Sequence, residues 1–172
     1  EYVVIILIVS DENSMLPTIK SRCTKIFFEK ISDENLKTYI KEKIGDVHFE
    51  ESMIKLSEGS IGKCIEISKK QEILKKIEDF INNIENMDEV QIINASSYFN
   101  ENKEDINLIL DYIYILIFNK TKEFSNKIKY IFAMEKVQNA KEKLSKSNNF
   151  DMTIDNMLIE IWREINEKNY RS

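Results

Sequence analysis

The spacing of hydrophobic positions changes along the chain, and the change divides it into unlike parts. Val3 to Val9 is an unbroken aliphatic run, apolar at odd and even positions alike. A half-exposed strand alternates, whereas a short run rich in β-branched residues suits a strand covered on both faces, as in a parallel sheet between helices. A second short strand is expected at Thr24 to Phe28, after the turn residues Ser21, Arg22 and Cys23. From Ser32 the spacing becomes helical. Leu36, Tyr39, Ile40 and Ile44 share one face of a helix over about 33–44, with Ser32 placed to cap it and Gly45 to stop it. A second helix, about 50–58, carries Met53, Ile54 and Leu56 and ends at Gly59; a third opens after Ser60 with Ile61, Cys64, Ile65 and Ser68.

Every glycine and the single proline lie at or before Gly62, so residues 63–172 contain neither breaker and are expected to be mostly helix. Ile73, Leu74, Ile77, Phe80, Ile81 and Ile84 mark one stripe. Asp88 and Gln91 have the spacing of a capping box ahead of Val90, Ile93 and Tyr98. The segment after Asn102, with Ile106, Ile109, Leu110, Ile113, Leu116 and Ile117, is apolar nearly all round and belongs at the centre of a bundle. Ile128, Ile131, Phe132, Val137 and Leu144 form a further stripe. After Asn148, Asn149 and Asp151 comes the last, with Ile154, Met157, Leu158, Ile161, Trp162 and Ile165. Four or five packed helices are the expected form of this half.

Composition narrows the classes. A length of 172 residues supplies a core without disulfides, and Cys23 and Cys64 show neither a zinc spacing nor a disulfide framework, so reduced thiols and a cytoplasmic location are expected. A net charge of −5 with 32% charged residues argues against a general nucleic-acid surface, because phosphate contacts need clustered Lys and Arg. Val3 to Val9 is too short to span a bilayer, and no membrane partner is expected. The chain opens on Glu1 inside an expected strand whose neighbours it does not contain, which reads as part of a longer protein.

Taken together, VVIILIVSDENSMLPTIKSRCTKIFF and, at the distance of a small helical domain, LSEGSIGKCIEI resemble the sensor-1 strand, arginine-finger segment and lid helix of bacterial clamp-loader subunits of the AAA+ family. LSKSNNFDMTIDNMLIEIW is similar to the end of their collar domain. The resemblance covers the whole chain, with its specific signal in Thr18-Ile19-Lys20-Ser21-Arg22-Cys23 and the flanks of that segment. It implies a mainly α fold: remnant β-strands of an AAA+ core over 1–29, a three-helix lid over 30–70, and a helical-bundle collar over 71–172.

What the resemblance implies for function follows residue by residue. Arg22 would be an arginine finger acting in trans on ATP bound to a neighbouring subunit, a role worth about 10³ to 10⁵ in rate in related systems. Leu16 and Pro17 start a short helix without losing a hydrogen bond and carry Arg22 outward. Ser10 stands at the sensor-1 position. Hydrolysing relatives carry an arginine in the lid helix where this chain has Gly62, and Lys63 is turned about 100° away from that direction. The implied subunit is therefore the non-hydrolysing kind, with no cofactor, metal or ATPase activity in these residues.

Its partners would be the other clamp-loader subunits of DNA polymerase III, the ATP-hydrolysing gamma/tau type and the delta type, and through them the sliding clamp and primer-template DNA. Two alternatives stay open: a hydrolysing motor subunit of a clamp loader, and an unrelated helical scaffold. Asp11, Glu12 and Asn13 read as a solvated turn, and His48 as a turn residue. Lys63, Lys69, Lys70, Lys75 and Lys76, interleaved with Glu66, Glu72 and Glu78, read as a solvated helix face. Tyr112, Tyr114 and Phe118 read as core or subunit contact. Val3 to Val9, lacking neighbours, is expected to pair between copies of the chain.

Overall fold

The computed structural model describes residues 2–9, 11–45, 49–123, 127–146 and 148–166, and these are mainly helical. Among them α1 spans Pro17–Lys20, α2 Asp33–Tyr39, α3 Glu51–Leu56, α4 Ile61–Lys69 and α5 Gln71–Asn83. They are followed by α6 at Glu89–Glu101, α7 at Ile106–Glu123, α8 at Lys127–Ser145 and α9 at Phe150–Asn166.

Capping chemistry sets the helix starts. Ser60 Oγ accepts the backbone N–H of Lys63 at 3.3 Å, and Asn149 Oδ1 that of Met152 at 3.1 Å. At α6 the reciprocal box is complete: Asp88 Oδ1 accepts from the Gln91 N–H at 2.8 Å, and Gln91 Oε1 from the Asp88 N–H at 2.9 Å. Ser32 caps α2, which runs on as a π turn over Ile40–Ile44 until Gly45, at φ 102°, ends it. The helix expected over 33–44 is thus two kinds of helix in series.

Two apolar cores result. The larger is built from Leu74, Ile77 and Ile81 of α5, Ile92 and Phe99 of α6, the buried face of α7, and the inner faces of α8 and α9. In it α9 packs between α6 and α8, while α7 packs against α8, α5 and α3. The smaller joins Leu36, Ile40, Ile54 and Cys64, with Ile31, Phe49 and Ile61 at its edge. Met53, Leu56 and Ile67 leave that group and enter the larger core, and Asn119 Nδ2 donates to Ser52 Oγ at 3.2 Å across the same junction.

Among the described residues the buried side-chain polar atoms are paired. Tyr112, fully buried, donates its hydroxyl to Glu78 Oε2 at 2.9 Å; burial first, and that carboxylate second, push its phenol well above the ordinary range. A polar latch closes one end of the bundle. Trp162 Nε1 donates to the Met87 carbonyl at 2.8 Å and Asn166 Nδ2 to the Ile84 carbonyl at 3.3 Å. Lys129 Nζ reaches the Ile165 carbonyl at 3.3 Å and Glu85 Oε1 at 3.0 Å, and the Tyr130 hydroxyl donates to the same Glu85 oxygen at 2.5 Å.

Three expectations are corrected. No strand forms among the described residues: Val3–Val9 and Thr24–Phe28 are irregular and exposed, pairing neither with each other nor with another element. Their composition favours strands, but a strand exists only where a neighbour takes its N–H and C=O groups. On α8 the buried positions are Tyr130, Ala133, Val137 and Ala140, and Ile128 and Ile131 face outward. Alanines let that helix approach its neighbours closely, and a stripe drawn through the largest apolar residues passes them by. On α6 the buried face is rotated from the expected one: Ile92 and Phe99 are buried while Val90 and Ile93 are exposed. Asp46 to His48 lie outside the described residues.

The turn after α3 is the tightest point. Glu58 and Gly59 have φ of 52° and 80°, and a Cβ on Gly59 would stand 2.6 Å from Lys30 Cβ and 2.9 Å from the backbone N and O of Ile31. Only glycine fits, because the N-terminal arm crosses there and the Ile31 N–H donates to the Gly59 carbonyl at 3.2 Å. Gly59→Ala should lower stability by about 2 kcal/mol or more, combining left-handed backbone strain with a backbone clash. Urea melts followed by circular dichroism measure it; an unchanged midpoint would mean that the arm does not cross this turn.

A pH test addresses the latch. The Tyr130 hydroxyl, with Lys129 behind it, holds the Glu85 carboxyl below its ordinary range. A carboxylate with a depressed pKa in the folded chain contributes stability above its unfolded pKa and loses it as pH falls through the folded one. Tyr130→Phe should therefore cost about 0.5 to 1 kcal/mol at pH 7, modest because Glu85 stays partly open to water. The difference from wild type should shrink as pH falls below about 4. Paired urea melts at pH 7 and pH 3.5 read this directly.

Candidate functional site

Arg22 lies in the turn that follows α1. Leu16, extended, precedes Pro17 at the first helical position, and the chain closes one short turn through Lys20. Proline there gives up no bond, since the first N–H groups of a helix have no partner within it. Ser21 Oγ donates to the Thr18 carbonyl at 3.2 Å, and Arg22 Nη1 donates to the same oxygen at 2.7 Å. The guanidinium thus lies along the C-terminal carbonyls of its own turn, where positive charge is favoured. Arg22 is exposed, and one of its five N–H donors is engaged there, leaving a planar cationic fork matched to carboxylate or phosphate oxygens.

The approach to that turn is ordered by local polar contacts. Asp11 Oδ1 accepts from the Asn13 N–H at 2.8 Å and the Asp11 carbonyl from Ser14 Oγ at 2.6 Å, shaping a 3-10 turn over Glu12–Ser14. Lys25, beyond Arg22, forms an ion pair with Glu12. Hydrogen bonding from Lys25 first, and its charge second, lower the Glu12 carboxyl below its ordinary range. Reading Asp11 to Asn13 as a solvated turn overlooks this pair, and the signal was present as opposite charges flanking a Pro-initiated turn.

The other candidate residues fall elsewhere. Ser10 lies outside the described residues. Gly62 is the second residue of α4, exposed, with Ser60 Oγ at 3.7 Å the nearest atom to a Cβ built on it. Lys63 is engaged by Glu58, Nζ to Oε2 2.5 Å, a contact that also lowers the Glu58 carboxyl. Among the described residues no hydrogen bond or ion pair joins 11–28 to α2 through α9, and Arg22 bonds to neither Gly62 nor Lys63. Cys23 is exposed beside Arg22, and Cys64 is buried in the smaller core.

Of the lysine-rich stretch, Lys63, Lys70 and Lys76 meet Glu58, Asp105 and Glu72, in keeping with a solvated face. Among the described residues no group of three or more His, Cys, Asp or Glu side chains is placed to hold a metal ion, and no helix is long and apolar enough to cross a membrane. Compared with protein-family models, with curated proteins and with solved structures, the chain matches none.

The open space at Gly62 has a measurable consequence. A helical glycine on an exposed face weakens its helix, so Gly62→Ala should raise stability by about 0.5 kcal/mol, opposite in sign to Gly59→Ala. A loss of stability on Gly62→Ala would show that α4 needs glycine there for a reason beyond its own backbone.

Proposed function

We propose that the chain is the C-terminal part of a non-hydrolysing subunit of a bacterial clamp loader, of the AAA+ family. The particular subunit is of the delta-prime type of DNA polymerase III. On this reading residues 1–29 end the AAA+ core, 30–70 form the lid and 71–172 the collar. Val3–Val9 is then an interior strand of a parallel sheet whose other strands precede it. Its role is to hold a place in the loader ring and to present Arg22 to ATP bound by the adjacent subunit, where the guanidinium stabilises the charge that develops on the transferred phosphoryl group.

The observation that carries the reading is the presentation of Arg22. It is an exposed guanidinium at the end of a Pro-started turn, between an exposed aliphatic segment and a small helical unit. Gly62, in the lid helix, has no side chain to reach a phosphate, which favours a subunit that donates a finger over a motor subunit. The helical bundle over α5 to α9 agrees in kind with a collar.

The test is reconstitution of the whole subunit with the clamp-loader ATPases and delta subunit of the same organism. The wild-type protein should enter the complex. Arg22→Ala should leave assembly intact and lower DNA-stimulated hydrolysis at the adjacent site by about 10³-fold or more. Failure to enter the complex, or normal hydrolysis by the variant at every site, would overturn the reading.

A further inference from the structure

We infer that the Glu12–Lys25 ion pair is the clip that positions Arg22, closing residues 12–25 into one ordered loop from which the guanidinium projects. The inference rests on the proposed trans role of Arg22 and adds to it the residues that hold the turn in place.

The loop needs such a closure. No residue over 11–28 is buried among the described residues, so apolar packing does not fix it. Each remaining polar contact is local: Asp11 with Asn13 and Ser14, and Thr18 with Ser21 and Arg22. Those contacts shape the two ends of the loop separately. Among the described residues the Lys25–Glu12 pair alone, as side-chain bond or ion pair, joins the 3-10 turn at the entry, 11–15, to the exit at 21–25. It ties positions thirteen apart in sequence, on either side of α1.

The surrounding charges act on the pair in opposite directions. Lys20 adds to the attraction on Glu12 and Asp11 opposes it, with Lys25 the dominant partner. Reversing Lys25 would set two carboxylates side by side and open the loop, while exchanging the two charges would restore the attraction with its sign reversed. Lys25 is exposed and Glu12 half-buried, and neither belongs to a core, so neither substitution disturbs one. An exposed pair has a modest effect, and the expected change in the ordered fraction is about two- to fivefold.

Cys23 supplies a probe, being exposed next to Arg22 while the other cysteine is buried. A maleimide fluorophore attached to Cys23 of the native chain should lose anisotropy on Lys25→Glu and regain it in the double exchange Glu12→Lys with Lys25→Glu. Unlabelled proteins in the reconstituted loader should follow the same order. Lys25→Glu should lower kcat for DNA-stimulated ATP hydrolysis about two- to fivefold with KM for ATP and assembly unchanged, and the exchange should restore it. Unchanged anisotropy on Lys25→Glu, or no recovery in the exchange, would overturn the clip. Anisotropy that follows the charges, together with hydrolysis indifferent to both Lys25→Glu and Arg22→Ala, would keep the clip as a local structural device and overturn the trans role of Arg22.

Discussion

Ile54 enters one apolar core while Met53 and Leu56, its neighbours in α3, enter another, and this divided burial holds the helical part of the chain together. A helix this short has little stability of its own, because nucleation consumes most of what its few hydrogen bonds return. Packing on both faces supplies the difference, at about 1.5 to 3 kcal/mol for each large side chain removed from water. Cys64 and Ile67 of α4 are divided in the same way. Ser52 and Asn119 add a polar tie along the seam. The small helical unit therefore cannot swing freely on the bundle without exposing Met53, Leu56 and Ile67.

That rigidity moves the question of flexibility to the N-terminal arm. Among the described residues its attachment is the crossing at Gly59, where backbone lies on backbone and the Ile31 N–H donates to the Gly59 carbonyl, with Ile31 at the edge of the smaller core. Such a contact fixes direction well and contributes little energy. The arm can thus be aimed by the α3–α4 turn while its own conformation depends on local ties such as Lys25 with Glu12. On the proposed reading this arrangement would let the helical body set where Arg22 begins its reach, leaving the final placement to the loop.

Legibility in the sequence followed the range of the interactions. Caps are local, and Ser60, the Asp88–Gln91 box and the stop at Gly45 were all readable from a few adjacent residues. The faces of α5 and α9 were readable as well, since large aliphatic residues there follow helical spacing without a break. On α8 the seam runs through Ala133 and Ala140, and small residues give hydrophobic spacing almost no weight even when they let two helices come close. Which of two cores Ile54 or Met53 would choose depends on elements far along the chain and left no local mark. Arg22 was legible as an exposed residue of a Pro-started turn; its bond to the Thr18 carbonyl and the ion pair closing its loop were not.

From Ser32 onward local preference and structure agree: capping residues cap, and segments with helical spacing are helices. Before Ser32 they disagree, for Val3–Val9 and Ile26–Phe28 are among the strongest strand formers in the chain and yet stand unpaired in water. Natural sequences keep such conflicts few, because each weakens the gap between the native state and its competitors. A run of exposed β-branched residues without a single charge also lacks the features that proteins use to guard an open strand edge. The composition of the arm is therefore that of a buried strand, and strands lying against both of its edges would remove the conflict. On the proposed reading those strands belong to the nucleotide-binding core, and Arg22 sits where such a sheet would end, at the boundary between the part that is built for a sheet and the part that is built for helices.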